Sequence, residues 1–288
     1  MHRGEATVAG ATLYVVATPI GNLRDITLRA LDVLKSVDVV AAEDTRVTRQ
    51  LLSHYGIGAE LVALHEHNEA RASARLLEWL GQGKSIAMVS DAGTPAVSDP
   101  GALLVRRVWE AGFRVISIPG PSALIAALSV AGRPRPGFVF LGFLPSQRSA
   151  RRKALETCAP LAWDLVFYES PHRLRETLAD MQDLLGSERE LVIARELTKL
   201  FESLHRCMLG EVLPWLDADP NRLKGEFVLV VSGQRRGQED AIAQAGERAL
   251  QVLLGELPVA QAVRLAAQIS GARKNELYQR ALALKEDG

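Results

Sequence analysis

Short β-branched and apolar runs recur in the first part of the chain, each ending at Pro, Gly, Asp or Ser. They lie at residues 12–18 (TLYVVAT), 37–42 (VDVVAA), 85–90 (SIAMVS) and 114–118 (RVISI). Runs of this length bounded by turn formers predict buried strands. Between them apolar positions fall at helical spacing: Leu28, Leu31 and Leu34, then Leu76, Leu77 and Leu80, then Leu103, Leu104 and Val108. Strands alternating with helices imply a mostly parallel sheet covered on both faces. A helical SALIAALSVAG (122–132) closes this first unit.

The pattern changes at Gly132–Gly137 (GRPRPG), where two prolines and two glycines in six residues read as a linker. From Arg133 to Lys153 six basic residues stand without an acidic one. Four more strand candidates follow, FVFLGF, DLVFYE, ELVIARE and EFVLVVS, with a helix after SPHRL, so a second α/β or α+β unit is expected over 137–233. GQRRGQED then leads into a helical tail. In that tail Val259, Val263 and Ala266 share a face, Gly271 breaks the run, and Leu277, Ala281 and Leu284 mark another helix. The outline is that of a helix-turn-helix with Arg273 and Lys274 at the turn. The expected domains are therefore 12–131, 137–233 and 240–288.

Composition narrows the function. The 288 residues carry 34 Lys+Arg against 34 Asp+Glu, so the whole molecule has no bulk attraction to polyanions or membranes and any nucleic-acid surface must be local. The candidates are Arg151, Arg152 and Lys153 in the basic stretch, which also holds Arg133, Arg135 and Arg148, and Arg273 and Lys274 in the tail, flanked by Arg264 and Arg280. The two cysteines, Cys158 and Cys207, lack metal-ligand spacing, and no apolar stretch is long enough to span a bilayer. A reduced, cytoplasmic protein is expected.

In an open parallel sheet the ligand sits beyond the carboxyl ends of the strands. The segments there are TPIGN (18–22), EDTR (43–46), SDAGTPAVSDPG (90–101) and PGPSA (119–123). None contains G-x-G-x-x-G or G-x-x-x-x-G-K-[ST], and Asp91 and Asp99 would oppose a triphosphate. Carboxylates and small residues suit a ribose diol or a cationic ligand, and Gly93 beside Ala92 lets backbone approach a flat adenosine. S-adenosylmethionine combines these features. HEHNE (65–69) offers two histidines without a third ligand, so no metal is expected; the segment reads as a polar substrate-contact loop or an ordinary solvated one. FYESPHRL (167–174) and ARELTKLFE (194–202) add polar clusters after two strands of the second unit.

TPIGNLRDIT, EDTR, HEHNE, SDAGTPAVSDPG, PGPSA, FYESPHR, RELTK and GEFVLVV stand in that order along the chain. Together they resemble the ribosomal small-subunit RNA cytidine 2'-O-methyltransferases, a branch of the tetrapyrrole methylase superfamily. The resemblance implies a two-domain α/β methylase with a mostly parallel first sheet, a mixed second sheet and a small helical tail, usually a homodimer. It implies S-adenosylmethionine as cofactor and, as partner, the small ribosomal subunit, with a cytidine ribose of the decoding region of 16S rRNA as acceptor. By position it gives the cofactor to Pro19, Asp91, Ala92, Gly93, Thr94, Val97, Asp99, Ser122 and Ala123, with Tyr168 and Gly225 of KGEF closing the pocket. TPIGN replaces the glycine-rich loop of the tetrapyrrole enzymes, which counts against a tetrapyrrole acceptor. A ribose hydroxyl is a poor nucleophile and calls for a proton acceptor; Glu43, Asp44, Glu169, Glu196 and Asp25 are the candidates, and the sequence does not choose among them. Two other functions share the pattern, a small-tetrapyrrole methylase and a non-catalytic RNA-binding assembly factor of the same fold.

Overall fold

The computed structural model describes residues 8–133, 137–234 and 238–286. Its first sheet is built from β1 (Thr12–Val16), β2 (Val39–Ala42), β3 (Glu60–Ala63), β4 (Ile86–Val89) and β5 (Arg114–Ile118). These alternate with α1 (Leu28–Ser36), α2 (Thr45–His54), α3 (Glu69–Gly81) and α4 (Ala102–Glu110), and α5 (Ala123–Val130) follows. The strand order is β3-β2-β4-β1-β5 with every pairing parallel. β2 and β4 are buried at every position, as central strands covered on both faces must be. One apolar cluster, with Val33, Leu34 and Leu52, covers one face; another, with Leu76, Leu80, Leu104 and Val108, covers the other.

The second sheet contains β6 (Phe138–Phe143), β7 (Asp164–Glu169), β8 (Glu190–Arg195), β9 (Ser203–Met208) and β10 (Phe227–Val231). Its order is β6-β7-β10-β8-β9, with β6 and β7 parallel and the other pairs antiparallel. The sheet is mixed, as expected. α6 (Arg148–Cys158), α7 (Leu174–Leu185) and α8 (Val212–Asp217) accompany it.

β3 and β9 escape the apolar-run reading through their composition: β3 has only Leu61, Val62 and Ala63 after Glu60, and β9 breaks its apolar positions with His205 and Arg206, whereas the other outer strands, β5 and β6, are richer in β-branched or aromatic residues. β3 has no fully buried position, and β9 alternates exposed and half-buried side chains. α2 escapes because only Thr48 and Leu52 of its ten residues are buried.

The basic stretch is corrected by the structure, except at Arg135, which lies outside the described residues. Four of its six basic residues lie on helix α6, not in a solvated linker. Arg151 is only 1% exposed and donates through Nε to Asp180 Oδ2 at 2.9 Å, with Glu176 at 3.4 Å. Arg148 and Arg152 converge on the same Asp180, at 3.3 and 3.1 Å, and Arg152 also pairs with Asp183 at 2.6 Å. Arg133 is buried between Asp164 and Glu190. Acids on α7 and neighbouring strands neutralise these cations, so Arg151 has no surface to offer a phosphate and Arg152 offers little. Lys153 alone of the three candidates is exposed.

The chain falls into two compact units, one holding both sheets and the other consisting of Pro160–Ala162 and the helices after Ser232. Those helices are α9 (Gln238–Leu254), α10 (Val259–Ser270) and α11 (Lys274–Glu286). They enclose their own core of Leu250, Ala262, Val263, Ala266, Leu277 and Ala281. Gly271 ends α10 in the left-handed conformation (φ +77°), the usual glycine termination, and turns the chain into α11. Arg273 and Lys274 are exposed at this turn, Arg273 beside Glu276. Among the described residues no helix is long and apolar enough to cross a membrane.

Candidate active site

At the carboxyl edge of the parallel sheet the loops after β1 and β4 are tied together. Thr18 and Gly93 exchange backbone hydrogen bonds at 2.9 and 3.0 Å, and Thr18 Oγ1 donates to the Ser90 carbonyl at 3.1 Å. Gly93 adopts φ +83°, a conformation an L side chain rarely accepts. Thr94 Oγ1 donates to the Pro121 carbonyl at 3.1 Å, which joins this loop to the one after β5. From the mixed sheet, Tyr168 at the end of β7 accepts a hydrogen bond from Leu124 N at 3.2 Å, on α5. Its ring packs edge-on against Phe140 and Phe143, with centroids 4.9 and 5.5 Å apart.

These loops enclose a cavity of about 430 Å³ between the two sheets. Glu43, Asp91, Ala92, Gly93, Thr94, Val97, Asp99, Ser122, Ala123, Tyr168 and Glu169 all line it. Pro19 does not; its neighbour Ile20 does. Gly225 stands just outside, where an added Cβ would lie 2.5 Å from Glu196 Cγ, and Glu226 takes its place in the wall. Phe143, Ala194, Leu197, Phe227 and Val228 complete the apolar part. Sequence reasoning missed them because strand-end apolar residues look like core; only the pairing of Phe227 with both Glu169 and Arg195 brings them to one place.

Among the described residues the lining holds five carboxylates, Glu43, Asp91, Asp99, Glu169 and Glu226, and no Lys, Arg or His. Burial first, then the nearby charges of Glu43 and Asp91, together push the Asp99 carboxyl up to about 6 against the opposing Ser90 hydroxyl. Burial also raises Glu43, helped by the charges of Asp91 and Asp44 and opposed by the Asp91 backbone N–H. A cavity of this kind stabilises a cation and repels phosphate.

A family model described as tetrapyrrole (corrin/porphyrin) methylases matches residues 12–213, both sheets up to α8. The chain belongs to this family. A second model, described as the RsmI C-terminal HTH domain, matches residues 240–285, the α9–α11 unit. Ribosomal RNA small subunit methyltransferase I of Escherichia coli O157:H7 is 52% identical over 270 residues, 94% of either chain. The protein of the same name from Neisseria meningitidis serogroup B is 48% identical over 285 residues, 99% of this chain and 98% of that one. Among solved structures, a cobalt precorrin-4 methyltransferase of cobalamin biosynthesis superposes with a TM-score of 0.57 at 18% identity, covering 77% of this chain and 95% of that one. The methyltransferase CobJ gives 0.58 at 20% identity, covering 78% and 96%. At these identities the structures show the shared fold alone.

In this methylase the candidate proton acceptors sit in very different surroundings. Asp44 caps α2 through Arg46 N at 2.8 Å and is clamped by the Arg46 side chain, which holds its carboxyl down to about 2. It lies outside the cavity lining. Glu169 lines the cavity, yet its carboxylate is buried and already accepts from Ser170 N, Arg173 and Thr177 Oγ1 at 2.6 to 3.0 Å. Glu196 is outside the lining and accepts from Lys199 Nζ and Glu226 N, both at 2.9 Å. Burial would raise its carboxyl, but these bonds and the charges of Lys199 and Arg195 lower it. Asp25 is exposed on a short helical turn away from the cavity. Glu43 alone combines a place in the lining, a raised carboxyl and a single long contact, from Asp91 N at 3.4 Å.

Proposed function

We propose that this methylase transfers a methyl group from S-adenosylmethionine to the 2'-hydroxyl of a cytidine ribose in the decoding region of small-subunit ribosomal RNA. The observation that carries the reading is the cavity at the carboxyl edge of the parallel sheet, lined by five carboxylates without one basic side chain. Such a lining fits a sulfonium cation and an adenosine with its ribose diol. The RNA acceptor rests on the relatives, whose printed name is ribosomal RNA small subunit methyltransferase I.

S-adenosylmethionine, when bound, supplies a methyl group activated by a positive sulfur. The residues around it have separable tasks. Ala92, Gly93 and Thr94 with Ser122 and Ala123 form the backbone-rich wall for the adenosine, and Tyr168 covers it from the mixed sheet. Asp91 and Asp99 set the negative potential. Glu43 Oε accepts the proton of the ribose hydroxyl as the oxygen attacks. Much of the acceleration comes from alignment of the attacking oxygen, which a rigid cleft between two sheets provides. On the tail, Arg273 and Lys274 contact RNA phosphates; the working form is a homodimer, as the resemblance implies, in the reducing cytoplasm that two free cysteines suit.

Purified protein, labelled S-adenosylmethionine and small subunits lacking the modification test the reading directly. Label in a single cytidine 2'-O position is expected. Cofactor binding without transfer to RNA, or transfer to a tetrapyrrole acceptor instead, would overturn it.

Two predictions arise from the pocket. Replacing Gly93 with Leu places a side chain where φ is +83° and Ile20 Cγ2 already stands 3.4 Å from an ideal Cβ. Cofactor affinity measured by calorimetry should fall by about tenfold or more, and unchanged affinity in a folded variant would remove Gly93 from the cofactor wall. Affinity should also depend on pH. Asp99, raised to about 6, is protonated below that value and charged above it. A cationic ligand prefers the charged form, so binding should strengthen from pH 5 to pH 7.5 and lose that dependence in Asp99→Asn.

A further inference from the structure

The HEHNE segment lies next to the active site and is only partly used by the fold. Ala42 pairs with Ala63, and Leu64 N donates to the Ala42 carbonyl at 2.7 Å, so the residues after β3 emerge beside Glu43 at the carboxyl edge of the sheet. In the order β3-β2-β4, the loop carrying Asp91 stands on one side of Glu43 and this segment on the other.

Two of its five residues have structural work. Asn68 closes a turn by accepting from His65 N at 2.9 Å and donating to the Ala63 carbonyl at 3.0 Å. Glu69 caps α4 by accepting from Gly101 N and Leu103 N at 2.9 and 3.0 Å. The other three are left over. Glu66 and His67 are exposed at the tip of the turn, and neither side chain makes a hydrogen bond or ion pair with the rest of the described protein. His65 Nδ1 is buried without a partner, and its ring stands 6.1 Å from that of His67. Among the described residues no three His, Cys, Asp or Glu gather to hold a metal. A turn pinned by Asn68 that exposes an adjacent carboxylate and imidazole, Glu66 and His67, beside the proposed proton acceptor is a hydrogen-bonding surface without a partner among the described residues.

We propose that this turn reads the base of the acceptor nucleotide. The inference rests on the RNA methyltransferase reading above. Cytosine presents an exocyclic amino donor next to the N3 and O2 acceptors. The exposed Glu66 carboxylate accepts from the amino group, and the exposed His67 imidazole N–H donates to the adjacent N3. Uracil inverts the first two positions, with a carbonyl in place of the amino group and N3–H in place of N3. It would set an acceptor against Glu66, leaving a carboxylate without a donor. The turn therefore selects cytidine while the cavity on the other side of Glu43 holds the cofactor.

The test compares methyl transfer to unmodified small subunits that carry the target cytidine or a uridine in its place. Wild-type protein is expected to prefer cytidine, and Glu66→Ala to shrink the cytidine-to-uridine ratio of kcat/KM by about tenfold or more, with His67→Ala acting in the same direction. S-adenosylmethionine affinity should stay unchanged in both, because neither residue lines the cavity. A ratio equal to wild type in both variants, whether or not overall transfer falls, overturns the assignment, since a merely structural turn would lower both substrates alike. If wild-type protein binds the cofactor but methylates neither subunit, the function reading fails and this inference falls with it.

Discussion

Glu43→Gln should lower methyl transfer to small subunits by about a hundredfold to ten-thousandfold, the range spanned by loss of a positioned general base. Glutamine keeps the size of the side chain and its capacity to accept from Asp91 N, so cofactor binding should survive. Among the candidate proton acceptors it removes the one that lines the cavity, is raised by burial and is unclaimed by strong donors. The pH profile supplies a second readout. Wild-type transfer should rise with pH as the Glu43 carboxyl, shifted above its usual value, loses its proton; the residual activity of the glutamine variant should lack that limb. Asp44→Asn is the contrasting case. That carboxyl is held near 2 by Arg46 and serves as the cap of α2, so its loss should cost helix stability and little catalysis. If Glu43→Gln transfers at the wild-type rate and Asp44→Asn does not, the assignment of the proton acceptor is wrong.

Asp180→Ala should destabilise the fold by about 3–5 kcal/mol, the cost of breaking a buried ion pair from one side. Asp180 is 2% exposed and accepts from Arg148, Arg151 and Arg152. Without it the guanidinium of Arg151, itself 1% exposed, keeps only the longer contacts to Glu176 and the Ser146 carbonyl. The effect has a pH signature. Burial alone would raise the Asp180 carboxyl, but the three arginines outweigh it and hold it below the usual carboxylate range. A depressed carboxyl contributes stability that is fully present above its unfolded value and is lost as pH falls through the folded one. The gap between wild type and variant in urea denaturation should therefore be constant near neutrality and close only below about pH 4. A gap under about 1 kcal/mol at pH 7 would mean that Arg151 finds another partner or water.

Arg151 shows why part of this protein was not legible in one dimension. In sequence, the stretch from Arg133 to Lys153 is basic and without a compensating acid, which is how an RNA-binding strip looks. Its acids arrive from about thirty positions away or more, on α7, at the start of β7 and on β8, and they are invisible until helices and strands pack. Charge read along the chain measures composition, whereas attraction to a polyanion depends on charge left over after pairing. The tail differs for the same reason. Its two-helix pattern around Gly271 depends on local periodicity and one left-handed residue, and the structure has that form.

The active site divides in a similar way. The order of motifs at strand ends was enough to bring together the loops that line the cavity, because in a parallel sheet every strand delivers its carboxyl end to one edge and the covalent order dictates which loops arrive there. Apolar runs identified the central strands β1, β2 and β4, whose burial on both faces leaves no polar position to confuse the reading. β3 and β9 were lost because β3 offers a single β-branched residue, Val62, and β9 keeps His205 and Arg206 between its apolar positions. Which carboxylate can take a proton was beyond any reading of spacing. Glu43 and Asp44 are adjacent in the chain, yet one faces the cavity and is raised by burial while the other caps a helix and is held down by Arg46. The sequence determined the fold class, the loops that line the cavity and the helical tail, all of which follow from local periodicity and chain order. Tertiary structure alone decided which charges are cancelled and which carboxylate is free to react, because solvation and ion pairing depend on neighbours that the chain brings together only when it folds.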